Sequence, residues 1–79
     1  MRYVYILESI NFPNTFYIGA TSDLKRRLAE HNSKEQKYTG RYQPWFIKCY
    51  FAFKNHTKAN AFEKYLKTSS GRSFTKKHF

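Results

Sequence analysis

Residues 2–8, RYVYILE, alternate as a strand does, with Tyr3, Tyr5 and Leu7 on one face and Val4 and Ile6 on the other. Both faces are bulky, so the segment reads as a central strand covered on both sides. No other feature constrains the fold as much, because such a strand needs neighbours beside it and a packed layer on each face. Residues 9–14, SINFPN, hold the Asn and Pro chemistry of a hairpin connection. The return strand runs from Thr15 to Gly19, with Tyr17 and Gly19 on one face and Phe16 and Ile18 on the other. Simple closure of this hairpin brings Tyr5 and Tyr17 near each other on one face, although sequence does not fix the register.

Thr21-Ser22-Asp23 then supplies side-chain oxygens that cap a helix running from about Asp23 to Ser33. Leu24 and Leu28 mark its buried stripe. At about 100° per residue, His31 lies about 20° from Leu24 and Arg27 about 60° away on the same side. Both are therefore expected at the edge of the core, with Lys25, Arg26 and Glu30 pointing elsewhere. Residues 34–43, KEQKYTGRYQ, read as a polar loop carrying Lys37 and Arg41, and Pro44 to Phe53, PWFIKCYFAF, as the strongest strand of the chain.

The most economical topology is a hairpin, a helical crossover and a third strand beside the first. This predicts an α+β fold with a three-stranded antiparallel sheet of order 2-1-3, and a crossover of the usual right hand. A further helix spans about Thr57 to Lys67 on the stripe Ala59, Phe62 and Leu66, with Glu63 about 40° from Ala59 at its rim. Ser69-Ser70-Gly71 breaks that helix, and the basic end RSFTKKHF suits a third helix docked by Phe74 and Phe79.

A chain of 79 residues implies one domain, residues 1–79, with a small core built from eight Phe, seven Tyr and one Trp. The single Cys49 leaves no intramolecular disulfide and suits a reducing compartment. No signal peptide is read at the N-terminus, and the apolar runs fall short of the ~20 residues of a bilayer span, so a soluble cytoplasmic protein is expected. Fifteen Lys and Arg against five Asp and Glu leave a net charge of +10, which favours a polyanionic partner, nucleic acid before anionic membrane.

The chemistry narrows by elimination. One Cys and three scattered His cannot build a structural zinc site, and Gly19, Gly40 and Gly71 are too isolated to cradle phosphate. There remain two tyrosines, Arg27, His31 and Glu63, the last the one acid after Glu35. That set suits phosphodiester hydrolysis, which needs a group to direct water, a cation on the phosphate and a metal at the leaving oxygen. Arg offers a bidentate fork for phosphate, and one carboxylate can hold Mg²⁺ when water and phosphate oxygens complete its shell. Singly, each has a plainer reading: tyrosines that pack, an Arg–His pair that caps or is solvated, and a glutamate that relieves repulsion among Lys58, Lys64 and Lys67.

The segments YVYIL (3–7), FYIGAT (16–21), DLKRRLAEHN (23–32) and AFEKYLKTSSGRSF (61–74), taken in order, resemble the GIY-YIG endonuclease superfamily. They resemble most its small stand-alone bacterial members, relatives of the excision-repair nuclease domain and of homing endonucleases. The resemblance implies a three-stranded antiparallel sheet flanked by helices. It matches Tyr5 to the water-directing tyrosine, Tyr17 to the second tyrosine at the reacting phosphate, and Gly19 to the glycine where a side chain would crowd the site. Arg27 matches the phosphate-stabilising arginine, His31 the histidine one turn on, and Glu63 the ligand of a single divalent metal, Mg²⁺ or Mn²⁺. The glycine of the first motif is Tyr3 here, as small members tolerate.

The larger nucleases carry separate DNA-binding domains that this chain lacks, so weak, phosphate-directed binding with little sequence choice is expected. Lys37, Arg41, Arg72, Lys76 and Lys77 are the candidate DNA-contacting residues. Single-stranded, branched or damaged DNA are the substrates in view, in a repair, recombination or mobile-element setting. Two alternatives stand beside this reading: a non-catalytic nucleic-acid-binding module of the same fold, and a nuclease module active only with a larger partner protein.

Overall fold

The computed structural model describes residues 1–33 and 37–78, with the backbone alone for residues 37 and 38. Strands β1 (Arg2–Ser9), β2 (Phe16–Thr21) and β3 (Trp45–Phe53) form one sheet of order β2-β1-β3, antiparallel at both junctions. Helix α1 (Leu24–His31) and the one-turn helix α2 (Lys37–Gly40) lie between β2 and β3, and α3 (His56–Leu66) and α4 (Ser69–His78) follow. This is the α+β fold of order 2-1-3 that the central strand demanded.

β1 is buried on both faces as its composition requires. Val4 and Ile6 are fully buried against Ala59 and Leu66 of α3, with Phe16, Ile18, Phe51, Phe62 and Phe74 around them. On the other face Tyr5 and Leu7 join Trp45, flanked by Tyr17, Leu24, Leu28 and Ile47. Each large side chain taken fully from water contributes about 1.5–3 kcal/mol, so two small clusters back to back on one strand can hold a short chain together. α1 covers one face of the sheet, and α3 and α4 the other.

Local chemistry sets the boundaries. Asp23 is the N-cap of α1 and accepts from the Arg26 N–H at 3.1 Å; Asn55 caps α3 in the same way through the Lys58 N–H at 3.0 Å. In the hairpin, Asn14 takes the left-handed conformation (φ 68°), which Asn tolerates better than most residues. Two expectations need correction. The polar loop expected over residues 34–43 contains helix α2; its residues 34–36 lie outside the described part. The break expected at Ser69-Ser70-Gly71 falls earlier, at Lys67-Thr68, and those three residues instead open α4, where the Thr68 hydroxyl accepts from the Gly71 N–H at 3.1 Å. Phe74 docks α4 as expected, while Phe79 lies outside the described residues.

Candidate active site

The β1–β2 register places Tyr5 opposite Gly19. Residues opposite one another share a face, as do residues two apart, so Tyr17 stands diagonal to Tyr5 on the same side. Their rings stack with centroids 6.4 Å apart. The Tyr5 ring fills the space that a side chain at position 19 would take: a Cβ there would collide with the Tyr5 hydroxyl and lie 2.6 Å from Cζ. The glycine is required by close approach, and what approaches is the tyrosine itself.

α1 closes over this pair. The Tyr5 hydroxyl lies 2.9 Å from Nε2 of His31, and Nε of Arg27 donates to it at 3.3 Å. The Tyr17 ring packs on the His31 imidazole with centroids 4.6 Å apart. Tyr5 is 2 % exposed and His31 1 %. On its far side, Nδ1 of His31 lies 3.1 Å from Oγ1 of Thr39, which is also buried. Among the described residues, no buried side-chain nitrogen or oxygen lacks a hydrogen-bond partner. The Leu24–Leu28 stripe thus carries His31 further inward than the expected core edge, while Arg27 stays partly exposed.

These contacts set the protonation states. Burial, reinforced by the charge of Arg27, lowers the His31 pKa to about 4, so the imidazole is neutral at pH 7. Burial also pushes the Tyr5 phenol up from its ordinary value, against the opposing pull of the Arg27 hydrogen bond and charge. Glu30, expected to point elsewhere than the core edge, accepts from Nη1 of Arg27 at 2.7 Å. That carboxylate, and then the Tyr5 hydroxyl, push the guanidinium pKa up, and Arg27 in turn holds Glu30 below the usual carboxylate range. The Nη2 edge of Arg27 is used by neither bond.

Glu63 stands apart from this cluster. It projects from α3, the layer on the other face of the sheet, and Oε2 accepts from Nζ of Lys67 at 3.0 Å. No hydrogen bond joins it to the tyrosines, Arg27 or His31, although its negative charge reaches Tyr5 and adds to the upward push on the phenol. Among the described residues, no group of three or more His, Cys, Asp or Glu could hold a metal ion. A metal held by Glu63 would take water and phosphate oxygens as further ligands, a donor set that fits Mg²⁺ or Mn²⁺. The Glu63 oxygen already faces a cation, the Lys67 ammonium, which an arriving metal would displace.

A cleft of 680 Å³ opens beside β2 on the α4 side, with Phe16, Tyr17, Lys48, Lys67, Arg72 and Lys76 in its lining. Of the five candidate DNA-contacting cations, the structure brings only Arg72 and Lys76 together, one helical turn apart; among the described residues neither makes an ion pair. Lys77 and Arg41 are exposed but outside this cleft, and the Lys37 side chain is not described. Sequence reasoning missed Lys48 and Lys67 in the cleft and Thr39 behind His31. The spacing of Lys67 four residues after Glu63 and of Glu30 three after Arg27 was a signal for both pairs. For Thr39 no local signal existed.

The fold and site together define a small α+β domain in which a buried phenol sits between a guanidinium and a neutral imidazole, next to a cationic cleft. The chain belongs to the family of the GIY-YIG catalytic domain, which matches residues 1–77. It is 39% identical over 72 residues to a UPF0213 protein of Streptococcus pyogenes serotype M3, covering 90% of this chain and 76% of that one. It is 37% identical over 67 residues to the structure-specific endonuclease subunit SLX1 of Kluyveromyces lactis, covering 75% of this chain but 23% of that protein. The like-named protein of Debaryomyces hansenii is 42% identical over 53 residues, 58% of this chain and 15% of its own length. No solved structure matches the chain. Family membership supports nuclease chemistry.

Proposed function

We propose that this protein is a Mg²⁺- or Mn²⁺-dependent DNA endonuclease that hydrolyses phosphodiester bonds with little sequence preference. The observation that carries the reading is the Tyr5 hydroxyl held between Arg27 and the neutral His31. Arg27 can only donate, so it takes a lone pair of the phenol oxygen and leaves the phenol proton to Nε2 of His31. A phenol with a raised pKa is not a free base at pH 7. It acts by relay: the attacking water gives a proton to the Tyr5 oxygen as the Tyr5 proton passes to His31 Nε2, while the water oxygen bonds to phosphorus and the P–O bond to the leaving oxygen breaks. The unused edge of Arg27 stabilises the charge growing on the phosphate oxygens. Tyr17 orients the phosphate from the adjacent position, and Gly19 leaves the Tyr5 ring its place. Glu63 would hold a divalent metal, which would supply charge neutralisation to the reacting phosphate.

The substrate is DNA, gripped through its phosphates by Arg72, Lys76 and the other cations, with single-stranded, branched or damaged forms as candidates. The yeast relatives named as endonuclease subunits support a second reading, activity only alongside a larger repair or mobile-element protein. No helix among the described residues is long and apolar enough to cross a membrane. The single Cys49 suits a reducing compartment, which supports a cytoplasmic location.

Cleavage of plasmid, single-stranded and branched DNA, with Mg²⁺, Mn²⁺ or EDTA, tests the proposal beside Tyr5→Phe, Arg27→Ala and Glu63→Gln. Metal-dependent cutting that falls about 10²–10⁴-fold in each variant, with circular dichroism unchanged, is expected. Salt-sensitive binding with no cutting under any condition would make this a binding module, and cutting that survives in Arg27→Ala would place the active site elsewhere.

A further inference from the structure

The relay described above works only if Nε2 of His31 is an acceptor, that is, if the neutral ring carries its proton on Nδ1. A free imidazole side chain in water favours the opposite tautomer, so something in the protein must impose this one. Resting on the proposed reading of the site, we infer that Thr39 is a positioning residue that fixes the Nδ1–H tautomer of His31 and thereby keeps the Tyr5 proton aimed at Nε2.

The geometry is specific. Oγ1 of Thr39 lies 3.1 Å from Nδ1 of His31 and is its hydrogen-bond partner among the described residues. Thr39 is 3 % exposed, so water does not compete for that contact. Its backbone is pinned on the other side: its carbonyl accepts from the indole Nε1 of Trp45 at 2.7 Å and from the Tyr42 N–H at 3.2 Å. The β-branched side chain has few rotamers, so an anchored backbone aims the hydroxyl. The ring is held too. The His31 carbonyl accepts from Nε2 of Gln43 at 3.1 Å, and the imidazole is packed on the Tyr17 ring. A hydroxyl can accept from Nδ1–H or donate to a bare Nδ1, so distance alone does not choose between tautomers. The hydrogen bonds at the far end of the chain report which tautomer the ring holds. Arg27 already donates to the Tyr5 oxygen, and with the Nε2–H tautomer two donors would face that oxygen while the buried phenol proton lost its acceptor. The Nδ1–H tautomer satisfies every member, running Tyr5 to His31 to Thr39.

Nitrogen NMR of the imidazoles in protein labelled at histidine reads the tautomer without any catalysis. His31 should show a protonated Nδ1 and a bare Nε2 at pH 7, assigned against His31→Gln. Thr39→Val, which keeps the shape and removes the hydroxyl, should shift the population toward Nε2–H and lower kcat about tenfold or more with KM little changed. Thr39→Ser, which keeps the hydroxyl, should restore both, and it serves as the decisive variant if Thr39→Val does not fold. Tyr5→Phe should leave the tautomer as it is. A wild-type ring protonated on Nε2, a Thr39→Ser variant with the Nε2–H tautomer, or a tautomer that flips in Tyr5→Phe would each overturn the inference. The tautomer is read without DNA or metal, so a protein that cuts nothing fails the proposed function alone, and one that cuts but lacks the Nδ1–H tautomer fails this inference alone.

Discussion

Gly19 and Tyr5 share one volume, and this is testable residue by residue. In Gly19→Ala the new methyl would collide with the Tyr5 hydroxyl and lie 2.6 Å from its Cζ, so the phenol must leave its place between Arg27 and His31. Overpacking of this kind costs about 1–3 kcal/mol. We expect a lowered thermal midpoint together with a loss of cleavage larger than instability explains at a temperature where the variant is folded. His31 gives a second prediction, in pH. Its folded-state value of about 4 lies below the ordinary 6.5, so the unfolded chain binds the proton more readily and stability must fall as pH drops through that window. The loss from this one group between pH 7 and pH 4 is about 3 kcal/mol, from ~1.36 kcal/mol per pKa unit. Urea midpoints at pH 7 and 4 should therefore fall less in His31→Gln than in wild type, and equal falls would show that His31 is not held neutral.

At the scale of elements, α3 and α4 approach each other closely at Gly71. A Cβ on Gly71 would strike the Tyr65 carbonyl and lie 2.6 Å from the Leu66 Cα, both backbone groups unable to swing aside. Alanine for glycine within a helix is worth about 1 kcal/mol in propensity. The clash outweighs it, because the whole of α4 would have to lift off α3. Gly71→Ala should lower stability by about 2 kcal/mol or more on thermal or urea unfolding, whereas a gain would mean that the junction is looser than described. That a break follows α3 was legible in the sequence, because small polar residues and glycine interrupt helices, although it falls at Lys67-Thr68, ahead of Ser69-Ser70-Gly71. That the same residues begin the next helix was not, because it depends on Thr68 finding the Gly71 N–H. Helix α2 escaped notice for a related reason: one turn without an apolar stripe has no periodicity to read.

The molecule as a whole carries +10, and its charges are not spread evenly in function. Lys48 and Lys67 in the cleft are tied to Glu8 and Glu63, whereas Arg72 and Lys76 make no ion pair among the described residues and are free to meet phosphate. Each phosphate contact adds about 0.7–0.9 to the slope of log K against log salt. An Arg72→Ala, Lys76→Ala double variant should bind DNA more weakly with that slope reduced by roughly 1–2, and an unchanged slope would remove the cleft from the binding surface.

The sequence by itself determined the strand that is buried on both faces, hence the order of the sheet, and the alternation that puts Tyr5 and Tyr17 each on one face of its strand, with Arg27 and His31 on one side of the helix that follows. Alternation, caps and helical periodicity are local, and local physics writes them in neighbouring residues. Tertiary structure decided the rest. It turned His31 inward onto Tyr5 and backed it with Thr39 across a segment with no periodic signal, left Glu63 on the opposite layer with Lys67, and split the expected cations so that only Arg72 and Lys76 share the cleft. Those outcomes depend on which side chains meet across elements and on where water is excluded, and no pattern along one segment records either.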